Sequence, residues 1–331
     1  MSIINTVRPD QKIARAANAL ASRPVIHRTN GRGHGEVFRL ISPSDLGQQL
    51  KPFVFLDSFG GVMDEFAAGD KMHPHSGIGT VTVFTRGDVQ FDDPEAGKGS
   101  IGYGGVEWMR AGGGVWHGKE LSSGKSERIH GYQLWLALPA ELELAEVESQ
   151  YFEATAMPQV GPAYVIVGSY CGVTSPVNAP DGVNYLLVTL AADERWDYVP
   201  PAGHAIGWLA ISKGSLSGAT PASNGELLIF SKDDGVIALQ GGTSGATFVL
   251  GSAIPHPHDL HLGYYSVHAT AKGLESGERN IQTLRRSYTH LATDSAPLDQ
   301  RRSIAADLHV SGKPRPSENR LGAPASTYLD H

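Results

Sequence analysis

From Val37 onward the chain alternates short apolar runs with turn residues. Val37–Ile41, Phe53–Leu56, Thr80–Thr85, Gln90–Phe91, Val106–Met109 and Gln133–Leu138 are brief, rich in β-branched and aromatic side chains, and separated by Gly, Asp and Pro. Runs of this kind predict the strands of a sandwich or barrel rather than a doubly wound sheet. After a more polar stretch from Ala140 to Pro158 the pattern returns in Tyr164–Val167, Tyr185–Leu190, Ala205–Ile211, Leu227–Phe230, Val236–Leu239 and Thr247–Leu250. A β pattern that occurs twice predicts a duplicated barrel, although no residue-level repeat is visible. The expected organisation is therefore all-β, with an N-terminal barrel over 1–150, a second barrel over 151–285 and a polar tail over 286–331. Two segments read as helices. Gln11–Leu20 follows Pro9 and Asp10, which suit a first turn. Ala269–Arg286 places Leu274, Ile281 and Leu284 near a 3.6 period, weakened by Gly273 and Gly277.

Composition narrows the class of function. Of 331 residues, 40% are apolar and 18% charged, with 27 basic against 34 acidic side chains. Such a balance has no basic stripe to neutralise phosphates, so no direct binding of nucleic acid is expected. The single cysteine, Cys171, excludes an internal disulfide framework and reads as a buried, inert thiol in a reducing compartment. The start of the chain lacks the pattern of a signal peptide and no apolar run is long enough to span a bilayer, so the expected location is cytoplasmic, with no membrane partner.

The histidines carry the candidate chemistry. On an extended strand His73 and His75 project to one face with Pro74 on the other. Two nitrogen ligands would then face one metal. A third must come from another strand, and His117 follows the turn Gly112-Gly113-Gly114, whose small residues allow close approach. That glycine run is not a phosphate loop, because no Lys-Ser/Thr pair follows it. His130 reads as a local hydrogen-bonding neighbour. A second His-Pro-His at His256–His258, near Asp259, His261 and His268, falls late in its strand series and reads as structural or inter-barrel packing. Phe84, Trp108, Met109 and Trp116 read as core, or as pocket walls where they face the barrel interior.

Phe53-Val54-Phe55-Leu56-Asp57-Ser58-Phe59, His73-Pro74-His75, the run from Glu107 to His117 and Gly131-Tyr132-Gln133-Leu134-Trp135-Leu136 together resemble the sequence blocks of pirins, a branch of the cupin superfamily. The resemblance is specific over residues 35–140 and collinear to about 285. It implies a bicupin, two facing antiparallel barrels with one metal in the N-terminal barrel and none in the other. Iron(II) is the metal it implies first, although an imidazole site also suits nickel, manganese, copper or zinc. His73, His75 and His117 match the three histidine ligands of the family. The fourth ligand does not carry over: pirins place a glutamate two positions after the third histidine, where this chain has Lys119, and many cupins place one four positions after the second, where it has Gly79. Glu120, one position further on, becomes a ligand and a candidate catalytic base only if the loop turns it inward. The alternatives are a centre of three histidines alone and a site that has lost its metal. The activity implied is that of a quercetinase-like dioxygenase acting on a small aromatic or enolic substrate. The other reading is a non-catalytic, metal-binding regulator that acts through a protein partner.

Overall fold

The computed structural model describes residues 22–62, 72–93, 96–118 and 120–295. The helix expected at Gln11–Leu20, Lys119 and the chain after Ser295 lie outside these residues. The first half supplies β1 (Val25–Thr29), β2 (Arg32–His34), β3 (Val37–Ile41), a short α1 (Leu46–Leu50), β4 (Phe53–Val62), β5 (His73–His75), β6 (Ile78–Arg86), β7 (Asp88–Asp93), β8 (Gly97–Gly102), β9 (Val106–Arg110), β10 (Val115–His117), β11 (Leu121–Ser123), β12 (Arg128–Ala137) and β13 (Glu148–Phe152). Strands β13-β9-β6-β12-β4-β3-β2 form one antiparallel sheet, while β11-β7-β8 and β10-β5 form two smaller ones. The second half builds a nine-stranded sheet around the long strands Val183–Leu190, Ile206–Leu216 and Ile237–Ala253. These are the two antiparallel β-barrels of a bicupin.

Period-two alternation decides what each face meets. Along β12, Tyr132, Leu134 and Leu136 point toward the second half and join Phe53, Trp108, Tyr185, Trp208 and Val249 in one buried cluster. Phe53 meets Trp208 edge-on at 5.3 Å between ring centres. The barrels are therefore joined by a continuous apolar core. The interior of the second barrel is also apolar, filled by Leu186, Leu209, Phe230, Phe248 and Leu250. The first barrel differs, because its buried interior includes Thr80, Thr82 and Glu107.

Both ends of the described chain cross between the halves. Strand β1, within the stretch expected to build the first barrel, pairs instead with Leu227–Phe230 of the second sheet. A terminal hairpin, His261–Leu262 with Val267–His268, returns to the first barrel, where Ser76 bridges to Ser266. It leads into α2 (Ala271–Ser295), which packs on β10. The helix thus runs past the expected end at Arg286, and residues 286–295, expected as tail, are helical. Polarity alone does not stop a helix, and the nearest breaker is Pro297. Gly277, which weakens the helical pattern, serves a close approach: a Cβ there would lie 2.5 Å from Ser76 Oγ and 2.6 Å from His268 Nε2.

Candidate metal centre

Strands β5 and β10 pair antiparallel, with His73 opposite His117, Pro74 opposite Trp116 and His75 opposite Val115. Directly opposed residues share a face, and so do residues two apart on one strand, so all three imidazoles converge. Ring centres lie 4.9 Å apart for His73 and His75, 4.5 Å for His73 and His117, and 5.0 Å for His75 and His117. One ring nitrogen from each lies within 4.8 Å of the others, the one group of three candidate ligands among the described residues. The glycine run forms the turn that brings β10 back, with the Gly114 N–H donating to the Ala111 carbonyl at 2.9 Å.

The electrostatics suit a cation. His75 is fully buried, and its Nδ1 lies 3.2 Å from the Tyr265 carbonyl. A carbonyl only accepts, so Nδ1 carries the proton and Nε2 keeps its lone pair. Nε2 of His75 and Nε2 of His117 are both buried without a hydrogen-bond partner. Burial first, then the neighbouring His117 and His73, holds His75 well below the usual histidine range. Burial, reinforced by His73, brings His117 down to about 3. Both rings are neutral at pH 7, the state in which imidazole ligates a metal. Buried lone pairs left unserved are costly, and a divalent cation would satisfy both at once.

The two acidic positions of the family resemblance have a structural outcome. Gly79 faces the inter-barrel core, where a Cβ would lie 2.3 Å from the Trp108 ring. A glutamate at that position has no path to the histidines. Gly79→Glu is therefore expected to lower the melting temperature by roughly 5–10 °C, through overpacking worth about 1–3 kcal/mol, without improving metal retention. Calorimetry and metal analysis on the variant check both parts. Glu120 accepts the Gly118 N–H at 2.8 Å, and its carboxylate lies 3.9 Å from His117 Nδ1. It stands on the Nδ1 side of that ring, away from the unpartnered Nε2.

Residues distant in sequence complete the surroundings. Trp135 stacks on Phe55 at 4.0 Å and meets His75 edge-on at 4.8 Å. Tyr265, at φ 55°, turns its carbonyl onto His75 and sets its ring 5.9 Å from that of His73. Behind β5, Ser76 Oγ lies 2.9 Å from His268 Nε2 and 3.0 Å from Ser266 Oγ. His268 Nδ1 lies 3.2 Å from Glu143, which also accepts from the Ala269 N–H at 2.8 Å and the Thr270 hydroxyl at 2.6 Å. Burial alone would raise the Glu143 pKa, but these hydrogen bonds outweigh it and hold the carboxyl below its usual range. Sequence reasoning did not assign Trp135, Tyr265, Ser76 or Glu143 to the site, and it singled out His268 only beside the second cluster.

Other candidates fall elsewhere. Of the four wall residues considered, Trp108 lies in the inter-barrel core, Phe84 packs on Phe59, and Trp116 donates from Nε1 to the Ile281 carbonyl of α2 at 2.9 Å. Met109 alone shares a cluster with Trp135 and Phe55. His130 bonds locally to Thr85 at 2.6 Å and Ser58 at 3.2 Å. His256 Nε2 donates to the Leu138 carbonyl at 3.3 Å, and Lys51 Nζ lies 3.6 Å from Asp259, so the second His-Pro-His sits in packing between the halves.

Two facing antiparallel barrels, one with an apolar interior and the other holding three converging imidazoles, define a bicupin. Residues 35–136 match the family model described as Pirin. A "Pirin-like protein" of Caulobacter vibrioides is 34% identical over 141 residues, covering 41% of this chain and 51% of the relative, so the match spans about half of that protein's length. Among solved structures, "Quercetin 2,3-dioxygenase from Acinetobacter baumannii" superposes with a TM-score of 0.68 at 23% identity, covering 78% of this chain and 96% of that one. "Bacterial pirin YhhW in complex with nickel(II) from Escherichia coli" gives 0.51 at 18% identity over 72% and 97%. Among the described residues no helix is long and apolar enough to cross a membrane.

Proposed function

We propose that the chain is a metal-dependent oxygenase of the quercetin 2,3-dioxygenase type, cleaving a flavonol or similar enol with O2 at a metal held by His73, His75 and His117. The observation that carries this reading is the pair of buried, unpartnered Nε2 atoms of His75 and His117 beside His73. The names of the Acinetobacter and Escherichia coli structures support the reaction class and the presence of a divalent metal. Iron(II) leads the candidates, with nickel, manganese, copper and zinc also suited to imidazole ligands. A metal bound there supplies a Lewis acid and a template.

The chain's own residues shape the rest. Three imidazole ligands without a carboxylate would leave a bound divalent cation its full double charge, which favours an anionic partner such as a deprotonated flavonol or 1,3-dicarbonyl. The Tyr265 carbonyl fixes the tautomer and orientation of His75. Glu120, whose carboxylate lies 3.9 Å from His117 Nδ1, is an electrostatic neighbour of that ring, a positioning residue rather than a base in contact with substrate. Phe55, Met109 and Trp135 line the interior beside His75 with apolar surface, which strengthens interactions inside the site.

Oxygen uptake on quercetin after iron(II) reconstitution tests the reading. Uptake that depends on both metal and substrate is the expected result. Metal-loaded protein that consumes no oxygen would reject the enzymatic reading in favour of a metal-binding regulator with a protein partner.

A further inference from the structure

Strand β12 is the middle strand of the seven-stranded sheet, flanked by β6 and β4. Residues at that position are normally sealed on both faces. Its Tyr132, Leu134 and Leu136 are indeed buried against the second barrel. On the opposite face, Gln133 remains partly exposed although its cross-strand neighbours Asp57 and Thr82 are buried. Solvent therefore touches the Gln133 side chain at mid-strand.

Two hydrogen-bonding groups on that face have no partner. The Trp135 indole Nε1 is buried without an acceptor, in a residue only 6% exposed. The Gln133 amide makes no hydrogen bond among the described residues, whereas its neighbour Asp57 is held by Arg39 at 3.0 Å. Buried polar groups are nearly always served by protein, water or ligand, so the unserved indole N–H of Trp135, beside the partly exposed Gln133 amide, points to an occupant. Trp135 lies beside His75, with ring centres 4.8 Å apart. Gln133 is two strand residues further on, about 7 Å along the barrel.

We propose that Trp135 and Gln133 form a hydrogen-bonding subsite for a planar, multi-ring enol whose enolic end lies at His73, His75 and His117, with Trp135 beside that end and Gln133 at the oxygenated outer ring. The inference deepens the oxygenase reading and rests on it. The indole N–H only donates, so it selects an oxygen acceptor close to the metal end. The amide donates and accepts together, which matches ring hydroxyls at the far end. A one-ring enol at the histidines would fall short of Gln133, so the spacing favours fused or linked rings.

Binding in oxygen-free buffer, read by the absorbance shift of quercetin titrated into iron(II)-reconstituted protein, separates this from turnover. Gln133→Leu and Trp135→Phe, which keep shape and stacking, are each expected to raise the quercetin Kd roughly five- to tenfold. Metal content should stay at the wild-type level in both. Gln133→Leu should leave the affinity for 3-hydroxyflavone, which lacks the outer hydroxyls, unchanged. Wild-type quercetin affinity in both variants would overturn the subsite alone, and so would an equal loss of both ligands in Gln133→Leu. Absence of saturable quercetin binding to the wild-type protein would overturn the subsite together with the oxygenase reading beneath it.

Discussion

Glu143→Ala is expected to cost about 3 kcal/mol of stability, a fall in melting temperature of roughly 5–10 °C. The carboxylate is 3% exposed and accepts from two backbone N–H groups and the Thr270 hydroxyl at the start of α2, while facing His268 Nδ1. Truncation leaves these groups buried without their acceptor, and an orphaned buried donor costs more than the hydrogen bond had contributed. The loss should also reach the histidines. Glu143 holds His268, His268 lies 2.9 Å from Ser76, and Ser76 follows His75 in the chain. Metal affinity is accordingly expected to weaken about tenfold in the folded variant, the scale of an outer-shell change. Calorimetry with a metal-binding titration checks both, and an unchanged melting temperature would show that α2 docks without this carboxylate.

The second large effect is at His117. Removing one of the three proposed imidazole ligands should weaken metal binding by more than about 100-fold, beyond the range of outer-shell substitutions. Glu120→Gln provides the comparison. Its carboxylate lies 3.9 Å from the Nδ1 side of His117, so the expected loss is about tenfold. A loss as large as that of His117→Ala would make Glu120 a direct ligand after all. Competition with a chromogenic chelator on the wild type and the two variants decides between these outcomes.

Which features were legible in the sequence follows from their range. The barrels were legible because period-two alternation is local, and the convergence of His73 with His75 follows from the same period. Placing His117 needed more than spacing, since its register opposite His73 depends on the Gly112–Gly114 turn. Other features are set by contacts remote in sequence. The carbonyl that orients His75 belongs to Tyr265, 190 positions away, and reaches it through a left-handed backbone conformation of a non-glycine residue. No local pattern announces such a contact. Strand β1 joins the second sheet for a comparable reason: its alternation predicts a strand but names no partner. Trp108 shows the limit on side-chain roles. A tryptophan near the histidines reads equally as wall or core, and Gly79 opposite it decides for core by leaving room for the ring. The end of α2 was misplaced because the residues after Arg286 are polar, although nothing before Pro297 breaks a helix.

Elemental analysis of protein purified without chelator, set beside His75→Ala prepared identically, tests the three-histidine centre most directly. About one divalent metal per chain is expected in the wild type and less than about a tenth of that in the variant. A variant that holds as much metal as the wild type, or a wild-type protein that holds none even after reconstitution, would contradict it.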